Sequence, residues 1–571
     1  MEKKYTDEKN VQILLALLKA HGINQVIASP GSANSPFVAS VQYDNYFKVI
    51  SVVDERSAAY MACGWAHESG KPVVISCTGA TASRNYASGL TEAYYRKLPI
   101  LAVTSTQPVS RIGHLHAQVV DRSNIQNDVA KVSYTLPIIK DNGDIWDCEN
   151  KINEAILELS RHGGGPAHLN LQTCSLSTYA TKELPAVRII RRYSETSGCP
   201  DLPDGKIAVF VGSHSKWTQD ETEALEVFCA SNGAIVLCDH TSGYHGKYRV
   251  LSSLLVSQIY RDKTLCQPEL LIHVGEISGD YPALGVGPKQ VWRVSPDGVI
   301  RDTFGKLTTV FEMKECQFFG HYQKSTNCSN RYFERCSSHL EGIRGSLLDL
   351  PFSNMWAASQ MAKVIPKGAA IHFAILNSLR AWNLFELPED VESMSNVGGF
   401  GIDGCLSSLI GASFTNKDRL HFCVIGDLAF FYDMNALGQR DVGPNVRILM
   451  INNGKGAEFR QYRHHTSHFE DDADVFISAA GHFGNKSPSL VRDFAKALGF
   501  EYLCANTKEE FTQRSEVFLN PLMGNKPILF EVFTDSENET KALEIIMNSE
   551  GNLSNKAKLV AKGFAKKMLG K

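Results

Sequence analysis

The sequence predicts an α/β protein of three doubly wound parallel-sheet domains. Three observations carry that expectation. Short, wholly apolar runs alternate with helical patterns, as strands covered on both faces require. The alternation restarts twice, after polar stretches over 178–205 and 317–344. At 571 residues the chain is long enough for about three domains of roughly 100–200 residues each.

The first block spans 1–178. Residues 7–20 place Val11, Leu14, Leu15 and Leu18 on one helical face. A strand at 25–28 breaks at Ser29-Pro30-Gly31-Ser32. The apolar stretch 47–53 leads through Asp54-Glu55-Arg56 into a small-residue helix. The strand at 72–77 ends in Thr78-Gly79-Ala80-Thr81, and another follows at 100–104. Residues 178–205, polar with several prolines, read as a linker. The second block, 200–330, starts at Ile207 and repeats the strand pattern at 233–238 and 270–274 before fading into the polar connector. The third, 350–540, has strands at 370–374, 420–425, 447–451 and 527–532. The tail, 541–571, reads as a solvated basic helix with Lys556, Lys558, Lys562, Lys566 and Lys567.

Composition narrows the function classes. Hydrophobic residues make up 43% and charged residues 21%, the balance of a soluble globular protein. A net charge of -3 offers no basic field to nucleic acid or anionic lipid. No apolar run approaches the ~20 residues that span a bilayer, and the charged N-terminus lacks a signal core. The 14 cysteines are scattered without a CxxC pair. That pattern argues against zinc and a disulfide framework, and for reduced thiols in a cytoplasm.

The most informative segment is a strand ending in Gly426-Asp427, a helix over 432–439, and a second strand ending in Asn452-Asn453. Carboxyl ends of neighbouring parallel strands lie side by side, where ligands bind. Asp427 and Asn453 then offer two oxygens to one point, a hard donor set suited to Mg²⁺ with phosphate oxygens. Gly426 lets backbone approach a phosphate, and the following helix turns its first N–H groups to the same anion.

This pairing resembles the diphosphate-binding signature of thiamine-diphosphate enzymes. The resemblance implies metal binding by Asp427, Asn453 and the carbonyl of Lys455, with Gly426 and Leu428 against the cofactor. Leu428 stands where the signature usually has Gly; Gly-Asp-Leu also occurs in the menaquinone-biosynthesis succinyl-hydroxycyclohexadiene-carboxylate synthases. The family needs a carboxyl group, buried and with raised proton affinity, against the cofactor's aminopyrimidine ring. Glu55, in Asp54-Glu55-Arg56-Ser57-Ala58-Ala59, resembles that activating segment. Ile402, in Gly401-Ile402-Asp403-Gly404, matches the residue that wedges the cofactor into its bent shape. Gly79 matches the pyrimidine-side loop. The resemblance implies decarboxylation of a 2-oxo acid with transfer of the acyl-anion equivalent to an acceptor. It also implies thiamine diphosphate and Mg²⁺ as cofactors, and at least a homodimer with sites at the subunit interface.

The likeness to the menaquinone synthases extends to Ser29-Pro30-Gly31-Ser32, Ala117-Gln118 and Asn377-Ser378-Leu379-Arg380. It makes Ser32, His116, Gln118 and Arg380 substrate candidates. Two positions depart: Ala33 and Val397 stand where those synthases have arginine. Loss of bidentate carboxylate clamps predicts a substrate other than isochorismate and 2-oxoglutarate. Arg84, His114 and Arg122, with His116 and Gln118, lie in strand-end loops of the first block, where some could face the cofactor and each alone is ordinarily a surface or backbone-satisfying group. His464, His465 and His468 form a polar segment after the metal strand, either surface loop or mobile cover. Three alternatives stay open: a simple decarboxylase, an acetolactate-type enzyme with flavin held near Gly212 and Gly275, or a relative that has lost catalysis.

Overall fold

The computed structural model describes residues 4–122, 124–174, 178–347, 350–480 and 487–550; the five tail lysines lie outside them. The chain packs as two compact units, Met1–Ser197 with Gly298–Glu312, and Gly198–Asp297 with Met313–Lys571.

In chain order the first strands are β1 (Gln25–Ala28), β2 (Lys48–Ser51), β3 (Val73–Cys77), β4 (Ile100–Thr106), β5 (Ser133–Leu136) and β6 (Ala167–Gln172). They form one sheet in the order β2-β1-β3-β4-β6-β5, parallel throughout. Successive side chains of a strand face opposite ways, and the two covering layers divide accordingly. Val74, Leu101 and Val103 pack with Val11, Leu14 and Leu18 of the helix Lys9–Ala20. Val73, Ile75, Ile100 and Ala102 pack with Ala58, Ala59 and Ala62 of the helix Glu55–Ser69. That second helix is small-faced for a reason: a Cβ on Gly89 would stand 2.4 Å from the Ala59 Cβ, so larger residues would push the helix Ala87–Tyr95 away.

β6 also carries a buried histidine. His168 lies between the Thr104 and Ser133 hydroxyls, 2.7 Å from each ring nitrogen. Burial, with the Arg122 charge adding, lowers its pKa to about 3. Its neutral form is the folded form, so its contribution is present above the unfolded value of about 6.5 and fades as pH falls toward 3. His168→Gln is therefore expected to lower Tm at pH 7, and to lower it less at pH 5. A penalty that grows toward pH 5 contradicts this.

The next strands are β7 (Arg191–Ser194), β8 (Ile207–Val211), β9 (Ile235–Cys238), β10 (Arg249–Leu251), β11 (Leu270–Val274), β12 (Gln290–Val294) and β13 (Leu307–Glu312). β7 and β13 pair within the first unit; β7 thus interrupts a stretch expected to be linker. In the second unit the order is β10-β9-β8-β11-β12. Two helices, Glu315–Tyr322 and Arg331–Ser346, replace the expected connector. Tyr332, Cys336, Leu340 and Ile343 make one buried stripe on the second, and its polar outer face masked the period. Gly212 and Gly275 pack against the opposing strand ends: a Cβ on Gly212 would overlap the Glu276 carbonyl at 1.9 Å. Close packing explains both glycines without a nucleotide.

The last strands are β14 (Ala370–Phe373), β15 (Glu392–Ser395), β16 (His421–Gly426), β17 (Val446–Asn452), β18 (Glu501–Ala505) and β19 (Ile528–Phe533). Their sheet, β15-β14-β16-β17-β19-β18, is again parallel. The helix Asn377–Trp382 after β14 is anchored at its C-terminal end by Asn383. The Asn383 side-chain amide donates to Asp280 (3.0 Å), and its oxygen accepts the His240 backbone N–H (2.9 Å). Burial lowers the His240 pKa to about 3, with Arg249 adding. No described helix is long and apolar enough to cross a membrane.

Candidate active site

β16 and β17 are neighbours in register, Gly426 opposite Ile451. Asp427 and Asn453 therefore leave their strands side by side. They line one cavity of about 180 Å³ with Gly426, Leu428, Lys455 and Ile402. The helix begins at once, Asp427–Asp433, rather than at 432 as the sequence suggested. The two asparagines divide their work. Asn452 is buried, donates to Glu531 at 2.7 Å and accepts the Gly454 N–H. Asn453 faces the cavity and accepts the Lys455 N–H at 3.4 Å. The Lys455 carbonyl accepts from Ala457 at 2.9 Å, leaving its second lone pair for another partner. The Lys455 ammonium is turned to Asp474.

This cavity fits a metal and a phosphate group. A carboxylate, a carboxamide oxygen and a backbone carbonyl are the hard donors a small divalent cation takes alongside phosphate oxygens. Gly426 stands in open space: a Cβ there would meet nothing within 4 Å. The unusual Leu428 is matched by a second glycine, since a Cβ on Gly456 would stand 3.3 Å from Leu428 Cδ2. Glu539 closes the wall. Its carboxylate accepts the Asn354 N–H (2.9 Å) and the Thr534 hydroxyl (2.8 Å). Burial, helped by the charges of Asp535 and Asp427, pushes its pKa to about 7. An acidic cavity of this kind favours a cation before any anion.

Two residues at this rim hold left-handed backbone, Leu376 (φ 70°) and Phe400 (φ 54°). Such strain persists only where its surroundings enforce it, and it concentrates at functional sites. Leu376 lines the cavity and Phe400 precedes the Gly401-Ile402 turn. Arg380, a substrate candidate, has its guanidinium ion-paired with Glu458 and 5.2 Å over the Tyr281 ring. His464 hydrogen-bonds Thr466 at 2.8 Å within its own turn.

The first unit has its own cavity, about 200 Å³, at the carboxyl ends of β1, β3, β4 and β6. Ser32, Ala33, Thr78, Gly79 and Gln118 line it, so three predicted residues come together there. His116 is exposed and is not among its lining residues. Ala80, next to Gly79, has φ 56°, matching the strain at Leu376 in the other unit. Glu55 opens the helix Glu55–Ser69 and accepts from the Asn85 side chain at 3.3 Å. Within the single chain it is only half-buried, against the expectation of burial. Sequence reasoning missed Asn85; the signal was its place at the end of the short helix Thr81–Asn85, one turn beyond Gly79.

The chain is similar to known proteins along nearly its whole length. Residues 9–125 match the thiamine pyrophosphate enzyme, N-terminal TPP binding domain. A 2-succinyl-5-enolpyruvyl-6-hydroxy-3-cyclohexene-1-carboxylate synthase of Bacteroides thetaiotaomicron is 30% identical over 563 residues, covering 95% of this chain and 98% of that protein. The protein of that name from Bacteroides fragilis is 31% identical over 571 residues, with the same coverage. That from Flavobacterium johnsoniae is 26% identical over 548 residues, covering 92% of this chain and 95% of the relative. These full-length relatives run against the expectation, drawn from Ala33 and Val397, that isochorismate is excluded. Two substituted positions do not outweigh likeness along the whole chain. The chain belongs to the family of the 2-succinyl-5-enolpyruvyl-6-hydroxy-3-cyclohexene-1-carboxylate synthases, and is a thiamine-pyrophosphate- and divalent-metal-dependent enzyme of the decarboxylase–carboligase type.

Proposed function

We propose that the chain decarboxylates a 2-oxo acid and joins the remaining acyl carbon to an acceptor, with Asp427, Asn453 and the Lys455 carbonyl holding Mg²⁺ and Glu55 activating the cofactor. The placing of Asp427, Asn453 and Lys455 on one cavity at the ends of β16 and β17 is the observation that carries this reading. Thiamine pyrophosphate supplies, when bound, the carbon nucleophile and the electron sink for loss of CO₂. The chain's part is to bind, orient and move protons. Gly426 gives a diphosphate room, Ile402 gives the cofactor an apolar wedge, and Glu55 holds a proton against the aminopyrimidine. Asn85 keeps the Glu55 carboxylate in place. The relatives' name puts 2-succinyl-5-enolpyruvyl-6-hydroxy-3-cyclohexene-1-carboxylate first among the products to assay.

Self-association belongs to this proposal. Val53 (78% exposed), Met61 (55%) and Tyr60 (48%), near Glu55 along the chain, leave apolar surface uncovered, and such surface marks an interface. A second copy seated there would bury Glu55 and supply the dry site a proton-sharing carboxyl needs. Sedimentation velocity on the active protein is expected to show a dimer or larger. A monomer that turns over contradicts the interface.

The direct test is CO₂ release from a panel of 2-oxo acids with thiamine pyrophosphate and Mg²⁺, with and without candidate acceptors. One acid is expected to react. Tight cofactor binding without turnover of any acid, even with acceptors present, removes the carboligase assignment.

A further inference from the structure

The charged residues that follow Asn453 are all held by partners outside their own turn. After Asn453 the chain runs through Lys455 and Glu458 to Arg460, which ends the short turn Ala457–Arg460. Glu458 is ion-paired with Arg380, and Lys455 and Arg460 are both paired with Asp474. Asp474 uses both of its oxygens. Oδ2 takes the Lys455 ammonium, while Oδ1 accepts from Arg460 Nη1 and from the Ser478 hydroxyl, each at 2.7 Å. Ser478 is fully buried, and its carbonyl accepts the Gly456 N–H at 2.7 Å. A Cβ on Gly456 would stand 3.0 Å from that carbonyl and 3.3 Å from Leu428 Cδ2, so the backbone is seated closely there. One carboxylate thus grips the Lys455 side chain and, through Ser478, the backbone that follows it.

The two cations differ in what else holds them. Arg460 has a second partner, Asp471 at 3.0 Å, and its carbonyl accepts the Thr540 hydroxyl at 2.9 Å. Among the described residues, Lys455 is ion-paired with Asp474 alone. Yet Lys455 lines the same cavity as Asp427 and Glu539. An ammonium released from Asp474 would have those carboxylates to pair with, and Asp427 is the proposed metal ligand. Like charges in a partly buried site are poorly screened, so a free ammonium there and a divalent cation oppose each other. We propose that Asp474 is a positioning residue for the metal. It holds the Lys455 ammonium off Asp427 and fixes the turn that presents the Lys455 carbonyl. With both partners present the pair adds no net charge to the cavity. The inference rests on the metal reading of Asp427, Asn453 and the Lys455 carbonyl, and adds to it a residue outside the donor set.

The test uses the full-length protein as Asp474→Asn, Lys455→Met and the double variant. Mg²⁺ affinity is read by quenching of intrinsic fluorescence with thiamine pyrophosphate present, and Mn²⁺ binding is read directly by EPR. Asp474→Asn keeps the side chain's shape and leaves the pair positive. Metal affinity is expected to fall at least about tenfold, the lower end of what a supporting partner contributes. Lys455→Met keeps the backbone carbonyl and leaves the pair negative, so affinity is expected to rise by about two- to fivefold. The double variant restores the charge balance and recovers part of the loss. A residue that only braced the turn would give a loss that Lys455→Met leaves standing. Unchanged metal affinity in Asp474→Asn, or an equal loss in the single and double variants, therefore overturns the proposal. Should Asp474→Asn fail to fold, Lys455→Met decides: tighter metal binding supports the proposal, and unchanged or weaker binding overturns it. Asp427→Ala, measured in parallel, separates the two readings. If Asp427→Ala has lost the metal while Asp474→Asn has kept it, this inference alone fails. If Asp427→Ala binds Mg²⁺ as the wild type does, the metal reading fails and takes this inference with it.

Discussion

Glu55→Gln is expected to lower CO₂ release by roughly a hundredfold to ten-thousandfold, the range a positioned proton-transfer group contributes. The amide keeps the size of the side chain and its hydrogen bond to Asn85, which is 3.3 Å from Oε2. What it loses is the shared proton. Thiamine pyrophosphate and Mg²⁺ should still bind to the other unit's cavity, so affinity for the pair changes far less than turnover. Exchange of the cofactor's thiazolium C–H with D₂O, followed by NMR on the bound cofactor, gives a second readout free of substrate. Exchange should slow in step with turnover. A variant that exchanges at the wild-type rate places the activating group elsewhere.

Asp427→Ala is expected to remove the metal and, through it, diphosphate binding. Partners one shell further out typically account for 10–100-fold in metal affinity, so loss of a direct carboxylate ligand should cost at least about a hundredfold. Asp427 is buried at the mouth of β16, and the alanine leaves Asn453 and the Lys455 carbonyl as neutral donors. Titration of Mg²⁺ with thiamine pyrophosphate present measures the effect, and EDTA treatment of the wild type should reproduce it reversibly. Asn453→Ala should weaken the metal less, because a neutral donor is removed. Asn452→Ala should instead lower Tm, since its amide donates to the buried Glu531 at 2.7 Å. An Asp427→Ala protein that binds Mg²⁺ and cofactor as the wild type does would refute this metal site.

Much of this was legible in the chain. Largely apolar runs such as 73–77 and 421–425, alternating with helical patterns, read as strands covered on both faces, so the parallel sheets followed from the hydrophobic pattern. Gly426-Asp427 and Asn452-Asn453 were recognisable because a crossover between neighbouring parallel strands brings their carboxyl ends together whatever lies between. The helix Arg331–Ser346 was missed because it buries a single stripe of four residues, and the polar residues around that stripe outnumber it and hide its period.

The sequence by itself determined the sheets and the cofactor class, since these depend on residues near one another along the chain or on adjacent strands. Only the tertiary structure decided which polar side chains are already satisfied. Arg380 looked available and is paired with Glu458, 78 residues away. Arg122 looked like a surface group and is buried, donating to the Ser105 carbonyl and to Asn170. The physical reason is that a charge's role is set by what surrounds it in space. For a guanidinium on a long flexible stem, those surroundings come from segments that sequence order does not bring together.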